Sequence, residues 1–128
     1  MIVVVDASAA AAVIFDEPEG ATIAAHVRGE RLIAPALIDY ELANVCWKKV
    51  RRSPERRAEV LAALSTTKAM PIARVPVDIA EVVELGLRTG LTVYDAAYLW
   101  LAMSRDIELV TLDNKLAGIN QALREEHS

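Results

Sequence analysis

A single cysteine, Cys46, in 128 residues leaves no internal disulfide to be made. The chain must be held by a packed core, and it suits a reducing compartment, the cytoplasm. Cys46 itself reads as a small buried hydrophobe in an apolar, helix-like stretch. Only His26 and His127 are histidines, far apart and without metal-ligand spacing, which speaks against a zinc site. None of the five glycines falls into G-x-G-x-x-G or G-x-x-x-x-G-K, so a glycine-rich phosphate loop is excluded. No apolar run approaches the length that spans a bilayer. The opening run Met1-Ile2-Val3-Val4-Val5 has no basic flank and stops at Asp6, so it reads as a buried strand and not as a secretory signal. Positive charge is also in short supply. With 14 Lys and Arg against 18 Asp and Glu, the net charge is −4, which argues against a general polyanion-binding surface. Any such contact must come from a local patch. The best candidate is Lys48, Lys49, Arg51, Arg52, Arg56 and Arg57, a run equally readable as a solvated helix–turn–helix corner.

What is plentiful is aliphatic: hydrophobic residues reach 54%, enough for one compact core over residues 1–128. Ile2–Asp6 is β-branched and apolar on both faces, as in the middle of a parallel sheet. Ser8 can cap a helix over Ala9–Phe15. Pro18 suits the first turn of a helix ending near Gly29. Arg31–Ala34 reads as a second strand, and Pro35 opens a long helix to about Val50. Ser53-Pro54 reads as a cap and first turn of a helix to about Ser65. Pro71–Val75 is a third strand. Asp78 and Glu81 start a helix that stops at Gly90, and Thr92 caps an apolar helix over Tyr94–Ser104. Ile107–Leu112 is a fourth strand, followed by a helix over about Lys115–Arg124. Alternating strands and helices predict a parallel sheet with helices on both faces, and ligands then bind at the carboxyl ends of the strands.

Four acids fall where solvation does not explain them. Asp6 ends the first strand; it either caps the following helix, in competition with Ser8, or serves a site at that sheet edge. Asp113 stands at the matching place after the fourth strand, with the same two readings. Glu41 shares a helical row with Leu37, Ile38 and Val45, on or beside a packed face. Lys48 and Lys49 are too far along to pair with it. Asp95 opens a helix that is apolar all round, where the helix dipole alone does not account for it. If the four converge, like charges raise one another's pKa, and a divalent cation removes the conflict. Oxygen-only ligands suit Mg²⁺ or Mn²⁺. Ser8, Thr111 and Asn114 would supply neutral oxygens and donors nearby.

In these residues the chain resembles the PIN-domain family, and within it the VapC-like toxins. The resemblance rests on Val5-Asp6-Ala7-Ser8, the segment Pro35–Asn44 around Glu41, the segment Gly90–Leu99 around Asp95, and Leu109-Val110-Thr111-Leu112-Asp113. It implies a three-layer α/β/α sandwich with a central parallel sheet of four or five strands. It also implies an Mg²⁺- or Mn²⁺-dependent endoribonuclease, the toxin of a toxin–antitoxin pair. Asp6, Glu41, Asp95 and Asp113 would be the acidic quartet that carries the metal and catalysis. Ser8 and Thr111 would be the supporting hydroxyls. A homodimer is implied, with an antitoxin whose tail places an arginine or lysine among the acids. One departure is visible: relatives usually carry a final strand after the last helix, and no apolar strand is read there, which leaves four strands or five open. Lys48, Lys49, Arg51 and Arg52 are the candidate RNA contacts, or else they face the antitoxin.

Two other readings compete. A phosphohydrolase with Asp6 as nucleophile would need an acid at position 8, where Ser8 stands. A catalytically silent PIN-like module, binding RNA or antitoxin only, is the alternative from another class, although all four acids are in place.

Overall fold

The computed structural model describes residues 1–65 and 70–126. Ile2–Val5 form β1, in which Val3, Val4 and Val5 are at most 5% exposed. A strand buried on both faces has to sit inside a sheet. It does: Arg31–Ala34 (β2) and Leu109–Val110 (β4) pair with β1 on either side, and Ile72–Arg74 (β3) pairs with β2. The order is β3-β2-β1-β4, and every pairing is parallel. Four strands are present among the described residues, so no fifth strand is found there.

The helices are α1 (Ala7–Ile14), α2 (Gly20–His26), α3 (Ile38–Arg52), α4 (Arg57–Ser65), α5 (Ile79–Thr89), α6 (Val93–Arg105) and α7 (Asn114–Glu126). From β1 through β2 to β3 the chain steps one way across the sheet; from β3 to β4 it turns back past β1. Right-handed crossovers therefore put α1–α4 on one face and α5 and α6 on the other. Accordingly α1 packs on α2 and α3, and α6 packs on α5, α7 and β1. The three-layer α/β/α expectation is borne out.

Local chemistry moves several boundaries. Ser8 does not cap α1; Asp6 does, since it keeps the extended backbone of β1 (φ −92°, ψ 174°) and its carboxylate accepts from Ala9 N at 3.0 Å. The second helix starts at Gly20, not at Pro18. A Cβ at Gly20 would stand 2.2 Å from the Ala12 carbonyl oxygen, so only glycine lets α2 close onto α1. Pro35 does not open α3. The carbonyls of Pro35, Ala36 and Leu37 accept from Ile38, Asp39 and Tyr40 in a tight turn, and α3 follows from Ile38 to Arg52. It outlasts Val50 and breaks at Ser53, where the following proline disfavours helical backbone. Ser53 makes no side-chain cap. Pro54–Arg56 form a 3₁₀ turn that leads into α4.

Asp78 and Thr92 cap α5 and α6 through Glu81 N and Asp95 N, and Gly90, at φ +78°, ends α5 in the left-handed region, all as expected. The fourth strand is shorter than Ile107–Leu112. Past Val110, the Leu112 N–H donates to Ser8 Oγ (3.0 Å) instead of to a strand. Cys46 is buried, as expected.

Candidate active site

The sheet's direction of travel reverses between β1 and β4, and the crevice at that switch point lies at the strands' carboxyl ends. Val5 pairs with Val110, so the residues that follow, Asp6 and Thr111, come side by side. Asp6 is 5% exposed, the one buried charged residue among those described. Its Oδ1 accepts from Ser8 Oγ (2.7 Å) and Ala9 N (3.0 Å), and its Oδ2 accepts from Thr111 Oγ1 (2.5 Å). A buried carboxylate without such donors would cost several kcal/mol. Burial pushes the Asp6 carboxyl above its ordinary range. The Thr111, Ser8 and Ala9 hydrogen bonds pull it back, and the charge of Asp113 adds to the upward push.

Glu41 enters from the first turn of α3, half-buried, on the same side as Ile38 and Leu42, which are fully buried. It has no salt bridge among the described residues. Its Oε1 accepts from the Tyr98 hydroxyl at 2.5 Å. Burial raises its pKa, the Tyr98 bond lowers it, and the charges of Asp6 and Asp95 raise it again. Tyr98 is 1% exposed on α6. Burial and the adjoining Glu41 hold its phenol far above the usual range, so it remains a donor. The sequence reading passed over Tyr98. The available signal was a tyrosine in an otherwise apolar buried helix, whose hydroxyl must find a partner.

Asp95 lies one turn before Tyr98 on α6. Its N–H is taken by the Thr92 cap, while its half-buried carboxylate makes no hydrogen bond or ion pair among the described residues. Burial, then Asp113, then Asp6 raise its pKa; Lys115 pulls it down. Asp113 caps α7. Its carboxylate accepts from Leu116 N (2.9 Å), and its own N–H donates to Thr111 Oγ1 (3.0 Å).

The fold thus brings the four predicted acids into one electrostatic neighbourhood: Asp113 acts on Asp6 and Asp95, and Asp6 and Asp95 act on Glu41. None of them is ion-paired among the described residues. Ser8 and Thr111 both donate hydrogen bonds to Asp6. Asn114 is exposed at the start of α7, and no hydrogen bond joins it to the acids. As the side chains stand, no three acidic, histidine or cysteine residues among those described are drawn together closely enough to hold a metal ion.

The basic run lies elsewhere. Lys48, Lys49, Arg51 and Arg52 follow Glu41 by roughly 10–17 Å along α3, at 1.5 Å per residue. Lys49 pairs with Glu17 at 3.1 Å and Arg56 with Glu59 at 3.0 Å, while Arg51 lies over the half-exposed Trp47 ring.

A family model described as the PIN domain matches residues 3–121. The chain belongs to the PIN-domain family. It is 34% identical over 116 residues to Ribonuclease VapC12 of Mycobacterium tuberculosis, covering 91% of this chain and 90% of that one. It is 36% identical over 122 residues to Ribonuclease VapC3 of Pyrobaculum aerophilum, covering 91% and 93%. Among solved structures, the crystal structure of PAE2754 from Pyrobaculum aerophilum matches with a TM-score of 0.71 at 29% identity. That match covers 91% of this chain and 82% of that one. Within this PIN domain, the matched span contains all four acids, Tyr98 and both supporting hydroxyls.

Proposed function

We propose that this PIN-domain chain is a metal-dependent endoribonuclease, the toxin of a toxin–antitoxin pair. The observation that carries the reading is that four acids, with no ion pair among the described residues, share one electrostatic neighbourhood at the switch point. Burial and mutual repulsion raise three of them, Asp6, Glu41 and Asp95, above their ordinary pKa. The ribonuclease names of the relatives support it.

The donor set fits Mg²⁺ or Mn²⁺: it is oxygen only, with neutral hydroxyls behind it. Asp6, Glu41, Asp95 and Asp113 would hold the ion. Gathering them asks for side-chain rotation, chiefly at Asp95, which no hydrogen bond restrains. When bound, a divalent cation supplies positive charge against a phosphate and a more acidic water. The chain supplies the rest. Ser8 and Thr111 favour the ionised form of Asp6 against its burial and fix its orientation. Tyr98 aims Glu41 by one oxygen and leaves the other available. Asp113 joins the cluster to the start of α7. The charged partner among the acids would be the antitoxin's arginine or lysine when the toxin is held inactive.

The basic run from Lys48 to Arg52 is assigned to outer contacts, with RNA backbone or with antitoxin, because it stands apart from the acids. A homodimer and a cytoplasmic site of action complete the proposal; no helix among the described residues is long and apolar enough to cross a membrane.

The test is purified protein with structured and unstructured RNAs, in Mn²⁺ and in chelator. Asp6→Asn should abolish cleavage with the fold retained, since asparagine is an equally good helix cap. Internal cleavage in Mn²⁺ only, absent in Asp6→Asn, is the expected result. Cleavage that survives both chelation and the substitution would reject the assignment. RNA binding without cleavage would favour the silent module.

A further inference from the structure

The acids are gathered without a paired cation, yet the proposed substrate is a polyanion. A positive group must meet the backbone close to the cluster. The basic run on α3 is badly placed for this, and its members Lys49 and Arg51 are already engaged with Glu17 and Trp47. Lys115 is better placed. It stands in the first turn of α7, two residues past Asp113, and that turn is fixed twice. Asp113's carboxylate accepts from Leu116 N (2.9 Å), and its carbonyl accepts from Ala117 N (2.9 Å). The charge of Lys115 also acts on Asp95. Lys115 is exposed and makes no ion pair or hydrogen bond among the described residues. A lysine at a helix N-terminus opposes the helix dipole, so helix stability does not account for it.

We propose that Lys115 is a phosphate-binding residue of this site, its ammonium taking a non-bridging oxygen of the RNA phosphate that adjoins the scissile bond. The long flexible stem and compact charge of lysine suit a backbone contact that reads no base. The incoming phosphate takes over from Asp95 as the negative charge that the ammonium meets. This rests on the ribonuclease reading.

The experiment measures fluorescence anisotropy of a short labelled single-stranded RNA in EDTA, where cleavage does not intervene, across a range of salt concentrations. Lys115→Ala should weaken binding about three- to fivefold and reduce the slope of log affinity against log salt by about 0.7, one phosphate contact on a single strand. Lys115→Arg should restore both. In Mn²⁺ the alanine variant should raise KM more than it lowers kcat. Unchanged RNA binding with an altered melting temperature would overturn the proposal and make Lys115 a structural counter-ion to Asp95. An equal loss of affinity and slope in Arg28→Ala, an exposed cation outside both the acids and the basic run, would also overturn it, since any exposed cation would then serve. If the wild type binds RNA but cleaves none in Mn²⁺, the ribonuclease reading fails, and the binding comparison still decides the role of Lys115.

Discussion

Replacing Asp95 with asparagine separates a functional acid from a structural one. In the metal-free protein its carboxylate holds no hydrogen bond, while Asp113 and Asp6 repel it. Removing the charge relieves that repulsion. It also forfeits the attraction to Lys115 and a helix-dipole gain of about 0.3–1 kcal/mol. The two effects oppose each other, so the metal-free melting temperature should stay within about 3 °C of wild type or rise, taking about 3–5 °C per kcal/mol for a chain of this size. Metal tells the other half. At a hundredfold excess over Kd, Mn²⁺ should stabilise the wild type by about 2.7 kcal/mol, or roughly 10 °C. If the substitution weakens the site a hundredfold, the same Mn²⁺ concentration yields about 0.4 kcal/mol, under roughly 2 °C. Thermal denaturation followed by circular dichroism, with EDTA and with Mn²⁺, reads both numbers. A metal-free loss of more than about 2 kcal/mol, the size of a lost cap, would make Asp95 structural. Equal Mn²⁺ stabilisation of both proteins would remove it from the metal site.

Two further outcomes follow from the same electrostatics. Asp6, Glu41 and Asp95 bind protons more readily folded than unfolded, so between their ordinary pKa values and their raised ones stability falls as pH rises. The metal-free protein should therefore gain stability on acidification from neutral pH toward the ordinary carboxylate range, and Mn²⁺ should reverse the trend. Urea midpoints measured in EDTA that drop steadily from pH 7 downward would contradict this. Tyr98→Phe keeps the ring in the core but removes the donor to Glu41. It should cost about 1.5–3 kcal/mol, the worth of a hydrogen bond to a charged group, and move the acid limb of the Mn²⁺-dependent pH–rate profile upward; a profile identical to wild type would show that Tyr98 does not hold Glu41 in the working enzyme.

Much of the architecture could be read from short-range patterns. The run Ile2–Val5, apolar on both faces, implies a central strand, and the Asp78, Thr92 and Gly90 signals place the ends of α5 and α6 correctly. Readings failed where one residue had two local uses. Ser8 looks like a cap, but its hydroxyl is spent on Asp6, two positions away, and on Leu112 N, 104 positions away. Pro35 looks like a helix start, but the chain first makes a tight turn. Tyr98 reads as one more apolar residue until Glu41, 57 positions away, is laid beside its hydroxyl.

Residue order and spacing were enough to establish that this is a parallel α/β chain with acids at two strand ends and on two helices, because periodicity and capping act within a few residues. Whether those acids face one another could not be read that way. It depends on β4 returning to the far side of β1, which sets Asp6 against Thr111 and carries Asp113 within electrostatic reach of Asp6 and Asp95. That return leaves the basic run of α3 at a distance, because charges close in sequence are carried wherever the sheet order sends their helix.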